Sequence, residues 1–119
     1  MSLLFNSAIR HSKEFNQLNK SIVEGISPIC IHGLWDSVAS HVISSLGDKL
    51  NKQIIIVCPS ESEAKKIQDD LKLFYGENVY HYPTKEIVFF DVYAHSYQLI
   101  EERVKVIKAL AMKEHCIVT

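Results

Sequence analysis

Apolar positions along the chain repeat with two periods, and the alternation of the two lays out the expected elements. From Leu4 to Glu24, Ala8, Phe15, Leu18 and Ile22 fall near one face of a helical projection, while Lys13, Glu14, Asn19 and Lys20 lie off it. That spacing predicts an amphipathic helix stopped by Gly25. Residues 28–32, Pro-Ile-Cys-Ile-His, form a short run that is apolar on both faces, which predicts a central parallel strand. Gly33 to Ser37 is the turn after it. Val38 to Leu50 returns to helical spacing, with Ala39, Val42, Ile43, Leu46 and Leu50 on one side. Gly47 weakens the last turn of that helix by about 1 kcal/mol relative to Ala.

Gln53 to Cys58 is a continuous β-branched run bounded by Pro59, and it predicts a second strand. Ser60 followed by Glu63 is a capping-box pattern that opens a helix. Ala64, Ile67, Leu71 and Phe74 would face inward there, and Gly76 stops it. Asn78 to Tyr82 predicts a third strand, with Val79 and His81 alternating against Tyr80 and Tyr82 and Pro83 as its end. Thr84 to Ser96 reads as a loop with one turn of helix around the apolar Ile87–Phe90. Tyr97 to Lys113 predicts a long helix with Ile100, Val104, Ile107 and Ala111 in one stripe, and Leu99, Val106 and Leu110 beside it. So wide an apolar face implies burial against more than one neighbour. Residues 115–119 begin a fourth strand.

Strands alternating with helices imply βαβ units, a parallel sheet and right-handed crossovers. The expected fold class is therefore α/β, with about four parallel strands flanked by helices. The expected division is an accessory helix over 1–27 and an α/β subdomain over 28–119. The final strand has nothing after it to close it, so the expectation is a fragment of a longer protein.

Composition narrows the function classes. The 119 residues are 47% hydrophobic and 23% charged, with a net charge of −1, the balance of an ordinary globular chain. No basic excess marks a nucleic-acid binder. Three cysteines, Cys30, Cys58 and Cys116, each lie in an apolar run without CxxC spacing. They are expected to be buried, reduced thiols of a cytoplasmic protein, and neither metal ligands nor a disulfide pair. The six histidines form no HxxxH or HxH pair. No apolar run is long enough to span a membrane.

The turn after the first strand has the frame of a phosphate loop, G-x-x-x-x-G-K-[ST]. In that template the glycines allow close backbone approach, the Lys meets phosphate and the hydroxyl meets Mg²⁺. Here the stretch is Gly33-Leu34-Trp35-Asp36-Ser37-Val38-Ala39-Ser40. Gly33 and Ser40 match. Val38 replaces the second Gly, and its branched Cβ disfavours positive φ. Ala39 replaces the Lys, and Asp36 adds a like charge where phosphate would sit. The reading from these residues is a plain βα turn in which Asp36 or Ser37 caps the helix, with no cofactor bound.

Taken together, these pieces resemble the first RecA-like subdomain shared by the excision-repair helicase UvrB and the N-terminal part of the bacterial transcription-repair coupling factors (Mfd). The resemblance covers about residues 28–119. It rests on the strand and loop at Cys30–Ser40, on Ile55-Val57-Cys58-Pro59-Ser60 in the place of the family's "APN" segment, and on the helix with Ala64 and Leu71. It continues through Phe90-Asp91-Val92-Tyr93-Ala94-His95-Ser96, similar to the "PYD.(F/Y).P" stretch, into Glu102-Arg103-Val104-Lys105-Val106-Ile107, similar to the "RL..L" helix. UvrB carries a working phosphate loop and a long Tyr-rich hairpin after its third strand. This chain has neither, which points within the family to the coupling factor. The resemblance implies a degenerate RecA-like, P-loop-NTPase-like subdomain, non-catalytic and free of nucleotide. It would belong to a full-length ATP-driven DNA translocase that uses ATP and Mg²⁺. The implied partners are other domains of the same protein and, through the full-length protein, UvrA, RNA polymerase and DNA.

Two further groups of residues stand out. Asp91, Tyr93, His95 and Arg103 cluster after Phe90. Asp91 and His95 would form an acid–base pair only on a helix, and no nucleophile lies near. The structural reading has Arg103 holding the loop through its planar fork of donors, with Phe90 and its neighbours at an interdomain surface. Trp35 in the turn is expected to pack against the sheet end or a neighbouring domain. The competing functions are an active helicase subdomain of the UvrB type and an unrelated flavodoxin-like binding module.

Overall fold

The computed structural model describes residues 7–35, 37–84 and 93–119, with 93–96 described by backbone alone. After a helical turn over 7–10 come α1 (Lys13–Val23), α2 (Ser37–Leu50), β1 (Ile54–Ile55), α3 (Glu61–Tyr75), β2 (Val79–Tyr80), α4 (Tyr93–Ala111) and β3 (Ile117–Val118). The strands form a parallel three-stranded sheet in the order β1-β3-β2. Ile117 stands opposite Ile54 on one side and Val79 on the other. The ladder reaches past the strand bounds, through Ile56 N–H to Val118 C=O at 2.8 Å and Tyr82 N–H to Thr119 C=O at 2.8 Å.

Helix α3 carries the chain from β1 past β3 to β2, and α4 brings it back. Reversing the direction of travel puts the two helices on opposite faces of the sheet, as right-handed crossovers require. One face is closed by Leu71 of α3 against Val79 and Ile117, with Ile43, Ile54, Ile56, Ile67 and Tyr75 around them. The other is closed by Val106 and Ala109 of α4 against Cys116 and Val118, with Tyr80 and Leu110 beside them. Period-2 alternation in β3 thus feeds both cores from adjacent residues.

Helix α3 shows its boundary chemistry plainly. The Ser60 hydroxyl accepts from the Glu63 N–H at 3.3 Å, and Gly76 ends the helix at φ +96°. Helix α2 packs on α3, but through an unexpected face. Ser40, Ser44, Ser45, Leu46 and Gly47 are its buried residues, while Ala39, Val42, Ile43 and Leu50 are only half-buried. Small side chains let the two helices approach closely. A Cβ on Gly47 would lie 2.9 Å from the Tyr75 ring, so this glycine serves packing as well as weakening its helix. His41 of α2 stacks on Phe74 of α3 at 4.8 Å between ring centroids.

The structure corrects several expectations. The N-terminal helix is not continuous. The Ser12 hydroxyl accepts from Phe15 N–H at 3.1 Å, so a new helix starts at Lys13. Arg10, just before that break, pairs with Asp48 of α2 at 2.7 Å. The run at 28–32 is not a strand of the sheet, which among the described residues has three strands and not about four. Its backbone makes no hydrogen bond among the described residues, and Ile29 and Ile31 are exposed. An apolar run supplies a strand's side chains, but a ladder also needs a neighbour's donors and acceptors. Cys30 is accordingly exposed, whereas Cys116 is buried and Cys58 half-buried. On α4 the inward residues are Val106 and Ala109, and the stripe of Ile100, Val104 and Ile107 faces outward.

Leu71 has no exposed surface, whereas Leu73, two residues on, is 79% exposed. Leu71→Ala is expected to cost about 3 kcal/mol in urea denaturation, and Leu73→Ala less than about 0.5 kcal/mol. Equal effects from the two would show that α3 does not face the sheet as described.

Candidate functional site

Gly33 adopts φ +82°, a left-handed conformation that a glycine takes without strain. A Cβ there would meet nothing within 4 Å, so the constraint is conformational and not steric. The Trp35 C=O accepts from Val38 N–H at 2.9 Å, a local turn that leads into α2. Trp35 itself is 78% exposed and covers no sheet end among the described residues. Asp36 lies outside the described residues. Val38 is exposed and Ala39 half-buried. Ser40, the position of the Mg²⁺-binding hydroxyl in the template, is buried, and its Oγ has no hydrogen-bond partner among the described residues. The groove beside this turn is apolar, formed by Phe15 and Leu18 of α1, Ile29, Ile31 and Leu34, and Val42 of α2. No Lys or Arg lines it among the described residues, so nothing there offsets the charge of a phosphate.

The second sequence cluster is only partly in view. Phe90 and Asp91 lie outside the described residues. Tyr93 and His95 are backbone positions in the first turn of α4, which begins four residues before the expected Tyr97. Arg103 is fully described. Its Nε and Nη2 both donate to the Pro83 C=O at 3.0 Å, and its guanidinium lies 5.5 Å from the Tyr82 ring centroid. The fork therefore clamps α4 to the chain leaving β2. A cation over an aromatic face adds a contact that a lysine point charge would make less well.

A third group of side chains, which the sequence pattern did not bring forward, meets at the carboxyl ends of β2 and β3. His81 and Thr119 sit there with Nδ1 and Oγ1 3.4 Å apart. Glu61, the first residue of α3, faces them, its Oε1 4.0 Å from His81 Nε2. Thr84 Oγ1 donates to Glu61 Oε2 at 2.7 Å, and Lys65 pairs with Oε1 at 2.8 Å. The hydrogen bonds from Lys65 and then Thr84 hold the Glu61 carboxyl below its ordinary value. Among the described residues His81 Nε2 is buried without a hydrogen-bond partner. Only one hint lay in the sequence: carboxyl ends of parallel strands are where α/β proteins collect polar groups. Among the described residues no group of three or more His, Cys, Asp or Glu could hold a metal ion. Burial pushes the thiols of Cys58 and Cys116 up, away from the reactive thiolate.

Comparison with known proteins gives one consistent result. The chain is 30% identical over 111 residues to the transcription-repair-coupling factor of Bacillus subtilis (strain 168), covering 92% of this chain and 9% of that protein. It is 30% identical over 115 residues to the factor of the same name from Staphylococcus epidermidis, covering 96% and 10%. For Staphylococcus aureus the match is 28% over 109 residues, covering 91% and 9%. The chain thus spans about a tenth of the length of the curated relatives it matches. No family model matches it, and no solved structure does.

The carboxyl of Glu61 titrates lower in the folded chain than in the unfolded one, where about 4.3 is ordinary. Its contribution to stability is therefore complete above that value and is lost as the pH falls through the folded pKa. Urea midpoints of the parent and Glu61→Gln should differ at pH 7 and converge in acid. A gap that persists unchanged as the pH is lowered through the carboxyl range would rule out the ionised carboxylate as its source.

Proposed function

Because the chain is homologous to one segment of the transcription-repair-coupling factors, we propose that it is a non-catalytic module of a transcription-coupled DNA-repair protein. The observation that carries this reading is a turn that keeps Gly33 and Ser40 in phosphate-loop positions but lacks the second Gly and the Lys. Val38 and Ala39 replace the Gly and Lys, and the Ser40 hydroxyl is buried away from solvent. In this reading the fold is a degenerate RecA-like subdomain that has lost the nucleotide and, at 28–32, the strand that leads into a phosphate loop. Hydrolysis of ATP with Mg²⁺, and translocation on DNA, belong to other parts of the long polypeptide. The module's task is to hold neighbouring domains in place for contact with UvrA and RNA polymerase.

The surface supports a role within a larger body. Ile55 and Val57 alternate outward along the outer edge of β1, with Val57 91% exposed. Ile100, Val104 and Ile107 line the outside of α4, each more than half exposed. Trp35, Ile29 and Ile31 are further apolar side chains open to solvent. Packing of other domains of the same protein onto these positions accounts for that surface. Among the described residues no helix is long and apolar enough to cross a membrane.

Titration of the chain with a fluorescent ATP analogue and Mg²⁺ should give no saturable signal up to about millimolar concentration. Micromolar binding would overturn the non-catalytic reading and favour an active helicase subdomain. In the corresponding full-length protein, amide exchange at Ile55 and Val57 should be slowed at least about tenfold relative to the isolated chain. Equal exchange in both would show that no other domain covers this edge.

A further inference from the structure

The opposite edge of the sheet has a different character. Thr119 N–H bonds to Tyr80 C=O, and Tyr82 N–H bonds to Thr119 C=O, so these residues face β3. Strand alternation turns the backbone groups of Val79 and His81 the other way. The Val79 C=O takes a long bond from Gln68 Nε2 at 3.4 Å. The His81 N–H and C=O have no partner among the described residues. This edge forms the floor of a cleft of about 630 Å³ whose walls are α3 and α4.

The walls are charged unequally. Glu61, Asp69, Glu77 and Glu102 line the cleft, against Lys65 and Lys72. Lys65 is already paired with Glu61 at 2.8 Å. The His81 side chain is only 9% exposed, lines the same cleft, and has an Nε2 beside Glu61 with no hydrogen-bond partner among the described residues. In the tautomer that donates Nδ1–H to Thr119 Oγ1, Nε2 presents a lone pair, an acceptor for an incoming N–H. A buried acceptor without a donor is costly to leave unmatched.

We infer that the cleft along β2 is a docking groove for an extended, arginine-bearing segment of a partner protein. The N–H and C=O of His81, unpaired among the described residues, suit a peptide backbone laid along a strand edge. A guanidinium offers several N–H donors in one plane, enough to reach the Glu61 carboxylate and His81 Nε2 together. The excess of carboxylates selects a cationic segment over an acidic one. The outer edge of β1 offers apolar Ile55 and Val57 and shares none of this chemistry. The groove therefore does not depend on the interdomain role argued above.

The test titrates the chain with a capped hexapeptide of alternating Thr and Arg, and with its Thr and Glu counterpart, followed by NMR. The Arg peptide should shift the signals of Val79, His81 and Glu102, and its affinity should fall several-fold from low to physiological ionic strength. Glu61→Gln and Glu102→Gln should each weaken it at least about threefold. Glu101→Gln, on the outer surface of α4, should leave it unchanged. Among the described residues Glu102 makes no hydrogen bond or ion pair, its electrostatic neighbour being Lys105, so that variant reads the groove even if Glu61→Gln loosens α3. Equal binding of both peptides, shifts confined to other faces, or full affinity in Glu102→Gln would overturn the proposal. So would self-association of the chain through this edge.

Discussion

Everything in the sheet depends on β3 standing between two strands that do not touch each other. Ile117 pairs with both Ile54 and Val79, and Val118 with both Ile55 and Tyr80. Its adjacent side chains point to opposite faces, so Ile117 completes the core under α3 while Cys116 and Val118 complete the core under α4. Neither core exists without this strand. Its partners lie far back in the sequence, so closing the sheet requires long-range pairing before any buried apolar contact offsets the lost chain entropy.

The helices meet this constraint in two ways. Helix α3 is an amphipathic helix with a capped start and a glycine stop, and Leu71 drives its apolar face onto Ile117. Helix α2 does not reach the sheet with a broad apolar face. It approaches α3 through Ser40, Ser44, Ser45 and Gly47, where close contact replaces bulk. The ion pair of Arg10 with Asp48 and the placement of Lys49 over the Phe15 ring then fasten α1 to α2. The two edges of the sheet end up chemically distinct. One carries bare apolar side chains at Ile55 and Val57, and the other a polar cleft around His81 and Glu61.

The candidate sites were legible to different degrees. The loss of phosphate-loop chemistry could be read from Val38 and Ala39 alone, because it concerns which functional groups are present. The anchoring role of Arg103 was accessible as a class of interaction, but its acceptor, the Pro83 carbonyl, was not. His81 stood out only as an alternating strand residue, and Glu61 did not stand out at all. Their meeting depends on the carboxyl end of β2 lying beside the amino end of α3, a juxtaposition created by the crossover and invisible to local periodicity.

By itself the sequence determined the alternation of helices and strands, the caps at Ser60 and Gly76, and the parallel α/β class. These rest on side-chain period, backbone φ and local hydrogen bonding, which are properties of neighbouring residues. Tertiary structure decided which apolar runs became strands and which faces were buried. The run at 28–32 has a strand's composition but no backbone partner, and the longest apolar stripe of α4 points outward while Val106 and Ala109 face the sheet. A strand is completed only by the donors and acceptors of another segment, and a helix face is buried only where a neighbour stands.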